Sequence, residues 1–272
     1  MRGDVAGHRH VGPRGLDELR SELSQRDVLI TGQVAELRLM STRQIRAIHF
    51  PDSDHDNELA AARAGQRDLS RLVRDRVLVR LQRRVGGVRA GSSGFIYGLG
   101  PLGQRILEIE GPRRRYHEPT LRFLDHMLTV SQLVVDMTLA ARLGEFDVLS
   151  CQAEPRCHRE FSGFGGRTLL RPDLFVALGV ADLEHRWFIE VDRGSESVPV
   201  VVRKCRTYSA YYQSGREQAT HGVFPRVCWI VPDERRVGAV RRAIARDQRL
   251  EDRLFTVTVT ATAVVLLSGR TP

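Results

Sequence analysis

The sequence predicts an α+β protein with two domains. The first is a helical N-terminal domain that ends in a β-hairpin, and the second is an α/β domain with a mixed central sheet. The 272 residues are enough for two modest hydrophobic cores. The apolar pattern also changes along the chain. Three helix-like stretches and two strands give way to the order helix, three strands, helix, strand, helix, strand, which is typical of a sheet with helices on its faces.

The composition favours a polyanionic partner. The net charge is +9 and the pI is near 10.2, and a strongly basic chain of this kind favours nucleic acid over a membrane. No apolar run could span a bilayer. The N-terminus is too charged for a signal peptide, so we expect a disordered lead-in at 1–20. The four cysteines show no CxxC pair, which fits reduced thiols in a cytoplasmic protein.

Three helices are predicted in the N-terminal domain. The first runs from Ser24 to Leu39, with Ser24 as the N-cap and Asp27 in the capping-box position. Thr42 is predicted to cap a second, short helix. The third spans about 57–75 and places alanines, leucines and a valine on one face.

The third helix carries a basic stripe, because four arginines recur at spacings of three and four along it. They are Arg63, Arg67, Arg71 and Arg74. Two strands follow, joined by a glycine-rich tip that carries Arg89. Three helices followed by a β-hairpin is the order of a winged helix-turn-helix domain, in which the third helix enters the major groove of double-stranded DNA. We therefore predict a DNA-binding domain at 21–110. The alternative is that the stripe is only a solvated face of an arginine-rich protein.

The α/β domain is predicted at 119–262, after a basic linker at 111–118 and before a tail at 263–272. Its long first helix contains His126 beside apolar residues, where a histidine is more often a core or interface residue than a ligand. The segment 156–167, after the first strand, is predicted to be a basic, glycine-containing loop.

A group of acidic residues lies on the predicted strands of this domain. Asp173 opens one apolar run, Glu190 and Asp192 end the next and share a face, and Glu154 ends the first strand. Carboxylates that meet in this way raise one another's pKa unless a cation lies among them, and oxygen-only clusters suit Mg²⁺ or Mn²⁺. Lys204 follows this strand and is the only lysine of the chain, which indicates that a compact ammonium is needed there.

These residues resemble the motif of the PD-(D/E)xK nuclease superfamily. Pro172 and Asp173 match its PD, and Glu190 matches its second acid, but Asp192 stands where the motif has lysine. Members are known in which the lysine has moved to the following helix, so Lys204 takes that role by resemblance. Glu154 resembles the additional acid of many members. The resemblance implies a restriction-endonuclease-like fold, with all four acids as metal ligands and Lys204 as a catalytic cation.

More narrowly, residues 24–260 resemble the replication-relaxation family of plasmid and integrative-element proteins. The segments that carry this resemblance are Thr42 to Ile45, FIYGLGPLG, the His126 helix, RPD, FIEVDRG, KCRTYSAYY and FPRVCWIVP. The resemblance implies a DNA-binding protein that recognises double-stranded DNA at a plasmid origin-like site. Its second domain would then be a metal-dependent, DNA-nicking endonuclease or relaxase.

Two other interpretations stay open from the sequence. Tyr208, Tyr211 or Tyr212 could act as a nucleophile and form a phosphotyrosine, although tyrosines at this helical spacing more often pack or line a groove. Alternatively, the protein is an inactive winged-helix replication or transcription regulator whose second domain serves for dimerisation or DNA clamping. A homodimer is therefore one expected assembly.

Overall fold

The computed structural model describes residues 12–85, 94–109, 120–163 and 166–270. The chain divides into two compact units, Met1–Glu118 and Pro119–Pro272. Arg89 and the predicted linker at 111–118 lie outside the described residues. No helix of the described segments is both long enough and apolar enough to cross a membrane.

The first unit combines helices with a small antiparallel sheet. Its elements are α1 (Pro13–Glu22), α2 (Gln25–Leu37), β1 (Leu39–Ser41), α3 (Thr42–His49), α4 (Glu58–Arg74), β2 (Leu78–Val85), β3 (Gly94–Leu99) and α5 (Pro101–Ile106). The strand order is β1-β3-β2, with both pairs antiparallel. Apolar side chains from α2, α3, α4 and the sheet form its core, as the helical periodicity predicted.

The helix starts follow from their capping residues. Ser24 and Asp27 form the predicted capping box of α2. The N-cap of α3 is Ser41, paired reciprocally with Gln44, so the prediction that Thr42 caps this helix is wrong. The Thr42 hydroxyl instead accepts a hydrogen bond from the Phe95 amide at 3.0 Å and thereby joins α3 to β3.

The predicted disordered lead-in is also wrong from Pro13 onward, because α1 forms there. A proline at its start suits the first turn of a helix. Near its other end, Arg20 donates to the Ile106 carbonyl at 3.0 Å and to the Glu108 carboxylate at 2.8 Å. Ile106 is the last residue of α5 and Glu108 follows it, so contacts distant in sequence connect α1 to the end of α5.

The second unit contains the predicted mixed sheet. Its elements are α6 (Leu121–Arg142), β4 (Asp147–Ala153), β5 (Arg159–Gly163), β6 (Gly166–Leu170), β7 (Leu174–Val180), β8 (Leu183–Val191), α7 (Val198–Gln213), α8 (Arg216–His221), β9 (Arg226–Val231), α9 (Glu234–Arg246), β10 (Phe255–Val259) and α10 (Ala263–Leu267). The strand order is β10-β9-β8-β7-β4. β4, β7 and β8 are antiparallel, whereas β8, β9 and β10 are parallel.

Two segments differ from their predicted form. The predicted loop at 156–167 contains β5 and the start of β6, which pair with each other. Phe161 of β5 is buried. The predicted tail contains α10, whose Ala263 and Leu267 are fully buried. The Trp187 indole donates to the Leu267 carbonyl at 3.0 Å, so this helix is part of the core.

Candidate active site

Strand register brings three acidic residues to one end of the sheet. Ala153 pairs with Leu174, and Leu174 pairs with Ile189. One position further along, Asp173 therefore lies between Glu154 and Glu190 on neighbouring strands. Residues opposite each other in an antiparallel pair have Cβ atoms about 4.5–5.5 Å apart. Asp173 and Glu190 consequently share one face at the end of β7 and β8.

Glu190 is the buried centre of the site, with 1% of its surface exposed. Its Oε2 is in contact with the Lys204 ammonium, and its Oε1 accepts a hydrogen bond from the Tyr208 hydroxyl. Lys204 and Tyr208 are four residues apart on α7, so they lie on one helical face. Burial raises the pKa of Glu190 to about 8, against the opposing effects of Lys204 and Tyr208.

Lys204 keeps its charge in this environment. Burial lowers the pKa of its ammonium, but the negative charges of Glu190 and Asp173 outweigh burial and raise that pKa above its ordinary value. The Lys204 side chain remains 31% exposed. A permanent cation therefore reaches from α7 to the acidic strand ends, as the position of the only lysine indicated.

Asp173 contacts both the helix and the strand beside it. Its Oδ1 lies 3.2 Å from His126 Nε2, and its Oδ2 accepts a hydrogen bond from the Val191 amide at 2.7 Å. The hydrogen bond to Asp173 raises the pKa of His126, although burial opposes it. From the sequence, His126 is predicted to be a core or interface residue. The structure places it in the site, and its helical pattern alone gave no signal of this.

Asp192 and Glu154 have other partners. Asp192 is 3% exposed, and its Oδ2 accepts from Arg236 Nε at 2.8 Å while its Oδ1 accepts from the Gly194 amide at 2.8 Å. Glu154 Oε1 lies 3.1 Å from His158 Nε2. Within the described ranges, no group of three or more His, Cys, Asp or Glu side chains could hold a metal ion as it stands. Of the four predicted ligands, Asp173, Glu190 and Asp192 lie in the wall of one cavity, whereas Glu154 contacts His158. Their role as metal ligands stays a prediction.

The site opens into a cavity of about 640 Å³. Asp173, Glu190 and Lys204 lie in its wall, and the cations Arg122 and Arg193 also line it. The Arg122 guanidinium donates to the Ser195 carbonyl at 3.3 Å, and Arg193 donates to the Thr129 hydroxyl at 3.2 Å. Sequence reasoning missed both arginines, because basic residues are frequent throughout this chain.

Two neighbouring carboxylates are a set of protein ligands that suits Mg²⁺ or Mn²⁺. Such ions accept one or two protein carboxylates and complete their shell with water and substrate phosphates. Asp173 and Glu190 supply the required oxygen chemistry beside an open cavity. Both oxygens of each carboxylate already accept protein hydrogen bonds, so an ion would compete with those contacts.

The four arginines of the predicted basic stripe on α4 differ in exposure and in their hydrogen-bond partners. Arg63 and Arg67 are exposed. Arg71 donates to both carboxylate oxygens of the fully buried Asp27, at 2.9 Å each, so the structure gives it a role within the unit. Arg74 Nε donates to Asp75 at 3.0 Å. The four arginines line one surface groove. DNA contact by all four stays a prediction, although Arg71 and Arg74 already have acidic partners.

The tyrosines of α7 have internal partners as well. Tyr208 is fully buried against Glu190, and burial raises the pKa of its hydroxyl well above the ordinary value. The Tyr211 hydroxyl donates to Glu217 at 2.9 Å, and the Tyr212 oxygen accepts from Arg253 at 2.9 Å. A nucleophilic tyrosine needs an accessible, readily ionised oxygen. Tyr208 and Tyr211 therefore suit a structural role.

Comparison with known proteins gives one match. The sequence model of the replication-relaxation family matches residues 32–227, which covers most of the chain and parts of both units. No curated protein and no solved structure shows significant similarity to the chain. The matched segment includes Asp173, Glu190 and Lys204, together with α4. The chain therefore belongs to the replication-relaxation family.

Proposed function

We propose that this protein binds double-stranded DNA at an origin-like site of a plasmid or integrative element and nicks it with a metal-dependent site in the second unit. The observation that carries the proposal is the contact of Lys204 with Glu190 beside Asp173, in the wall of an open cavity. Membership in the replication-relaxation family supports a role in replication.

The first unit supports DNA binding through its topology. Three helices, α2 to α4, precede the β2–β3 hairpin, and β1 joins the same sheet. This order supports a winged helix-turn-helix domain. In such a domain, α4 would enter the major groove. Arg63 and Arg67 would then contact phosphates, giving affinity that falls with salt.

The second unit supports phosphodiester cleavage through its order α6-β4-β7-β8-α7-β9, which resembles the core of restriction-endonuclease-like domains. Asp173 and Glu190 would hold Mg²⁺ or Mn²⁺. When bound, such an ion polarises a phosphate and lowers the pKa of water. Lys204 would place its charge where negative charge develops on the phosphate oxygens. Arg122 and Arg193 would hold neighbouring phosphates at the cavity wall.

The test is conversion of supercoiled plasmid to open circles with Mg²⁺ or Mn²⁺. We expect nicking by the native protein and a loss of at least about 100-fold, the scale of one electrostatic group at a reacting centre, in Asp173→Asn and Lys204→Met. Asp182→Asn is the matched control, because Asp182 is an exposed acid at the other end of the β7–β8 hairpin. Free ends would indicate hydrolysis, and protein covalently attached to DNA would indicate a tyrosine nucleophile.

A second candidate is a regulator that binds DNA without cutting it. It is favoured by one observation, that every carboxylate oxygen of Asp173, Glu190 and Asp192 is held by a protein group. In this case the second unit would serve for dimerisation or DNA clamping. Equal DNA binding and no nicking by native protein, Asp173→Asn and Lys204→Met would support the regulator.

A further inference from the structure

A basic groove lies between α7 and α9, next to the cavity. Its lining includes four apolar residues, called the floor below, which are Val198, Pro199, Val202 and Ala243, together with the cations Arg206, Arg246 and Arg249. Arg246 and Arg249 are exposed. An apolar floor between cations suits a partner that has both apolar surface and regularly spaced negative charge.

The acidic residue that lines this groove is already neutralised. Asp247 Oδ2 accepts from Arg206 Nε at 2.7 Å, and its Oδ1 accepts from the Arg249 amide at 3.1 Å. The hydrogen bond from Arg206 lowers the pKa of Asp247, so this carboxylate stays ionised and paired. Arg206 offsets the charge of Asp247, and Arg246 and Arg249 add two further positive charges to the lining. The groove therefore has a net positive charge.

The groove and the cavity border each other only at the N-terminal end of α7, because Val202 and Arg206 lie on the side of the helix opposite Lys204. Glu196 lines the cavity and Val198 lines the groove, and positions two residues apart are separated by at most about 7 Å. Arg236 of α9 donates to the Glu196 carbonyl at 2.7 Å, which ties α9 to this border. From Val198 to Arg206 the helix rises about 12 Å, the length of about three to four stacked nucleotides at about 3.4 Å each.

We propose that the α7–α9 groove is a second DNA-contact surface, which holds the sugar–phosphate backbone of the strand that leads into the cavity. This inference rests on the proposed function, because it assumes that DNA reaches the cavity. Arg246 and Arg249 would contact phosphates, while the apolar floor would pack against sugars. An acidic peptide is the other chemistry that such a groove could accept.

The experiment uses the full chain and measures affinity for an origin-containing duplex and for a single-stranded oligonucleotide at several salt concentrations. The groove variant is Arg246→Ala/Arg249→Ala. The control, Arg142→Ala/Arg167→Ala, removes the same charge from α6 and β6. We expect the groove variant to bind at least about tenfold more weakly and to lower the salt slope by about 1.8 on duplex or 1.4 on a single strand, as two lost phosphate contacts require. The control should stay within about twofold of native.

A third variant, Arg63→Ala/Arg67→Ala, separates this inference from the proposed function. If it weakens binding while the groove variant equals the control, the groove inference is wrong and DNA binding by the first unit stands. If the groove variant weakens binding but native protein never nicks plasmid, the groove stands and the nuclease proposal fails. Unchanged DNA affinity of the groove variant, with loss of binding to a polyglutamate probe, would assign the groove to an acidic protein.

Discussion

Lys204, the only lysine of the chain, contacts the buried carboxylate of Glu190, which lies fourteen residues earlier. The contact joins α7 to the end of β8. Removing two charges from water costs several kcal/mol each, and a partner offsets this only where the geometry is good. The Glu190 carboxylate has two partners of this kind, because it accepts hydrogen bonds from Lys204 and Tyr208. A pair that is costly to bury and adjacent to an open cavity is more easily explained by function than by stability alone.

The pH dependence of stability should report the burial of Glu190. Its pKa is raised from 4.5 to about 8 in the folded protein, so between these values the folded state holds a proton that the unfolded chain releases. The free energy of unfolding of the metal-free protein should therefore fall as the pH rises through this range, and level off above it. Lys204 adds no slope in this range, because it stays protonated in both states.

The reference for this measurement is Glu190→Gln/Lys204→Met, which removes both charges together. Urea denaturation at several pH values should show the native protein losing stability relative to this variant between pH 5 and 8. Parallel curves for the two proteins over that range would contradict a raised pKa for Glu190.

Arg71→Ala should destabilise the first unit more than Arg67→Ala. Losing one partner of a fully buried pair costs about 3–5 kcal/mol. The Arg71 side chain is 33% exposed, which allows water to screen Asp27, so we expect about 2 kcal/mol. Arg67 is exposed, and its removal should change stability by less than about 0.5 kcal/mol. Denaturant unfolding gives both values, and an equal effect of the two variants would show that the Arg71–Asp27 pair does not stabilise the unit.

Local patterns predicted most of the fold. The helical periodicity of α2 and α4 and the apolar runs of β7 and β8 depend on neighbouring residues, and these elements lie close to their predicted positions. Two of the errors, at α1 and α10, occur where contacts distant in sequence decide the structure. α1 depends on Arg20 reaching the end of α5, and α10 depends on the Trp187 indole.

The candidate site was predictable only in part, for the same reason. Strand alternation and register could bring Asp173 and Glu190 together, and the unusual lysine indicated Lys204. The partner of Asp192 could not be read from spacing, because Arg236 is forty-four residues away on α9. His126 was likewise hidden, since helical periodicity assigns a residue to a face but does not identify the side chain opposite it.

The contact between His126 and Asp173 should be visible in solution. Because the hydrogen bond to Asp173 raises the pKa of His126 above its ordinary value of 6.5, NMR titration of metal-free protein should find this histidine still protonated near that pH. Asp173→Asn should lower its pKa, whereas Asp182→Asn should leave it unchanged. The same His126 titration in native protein and Asp173→Asn would mean that the two side chains do not interact.

The affinity for Mn²⁺ should depend on Asp173 more than on Asp192. Asp173, Glu190 and Asp192 all line the cavity, but within the described residues Asp173 has no arginine partner, whereas Asp192 is held by the Arg236 guanidinium. Calorimetric titration of the DNA-free protein with Mn²⁺ should therefore show that Asp173→Asn weakens binding at least about tenfold, as the loss of one of only two carboxylate ligands implies. Asp192→Asn removes an equal charge and should retain affinity within about threefold, provided that its circular dichroism spectrum is native. Loss of Mn²⁺ binding in Asp192→Asn alone would reverse the assignment, because Arg236 would then have to release Asp192 to the ion.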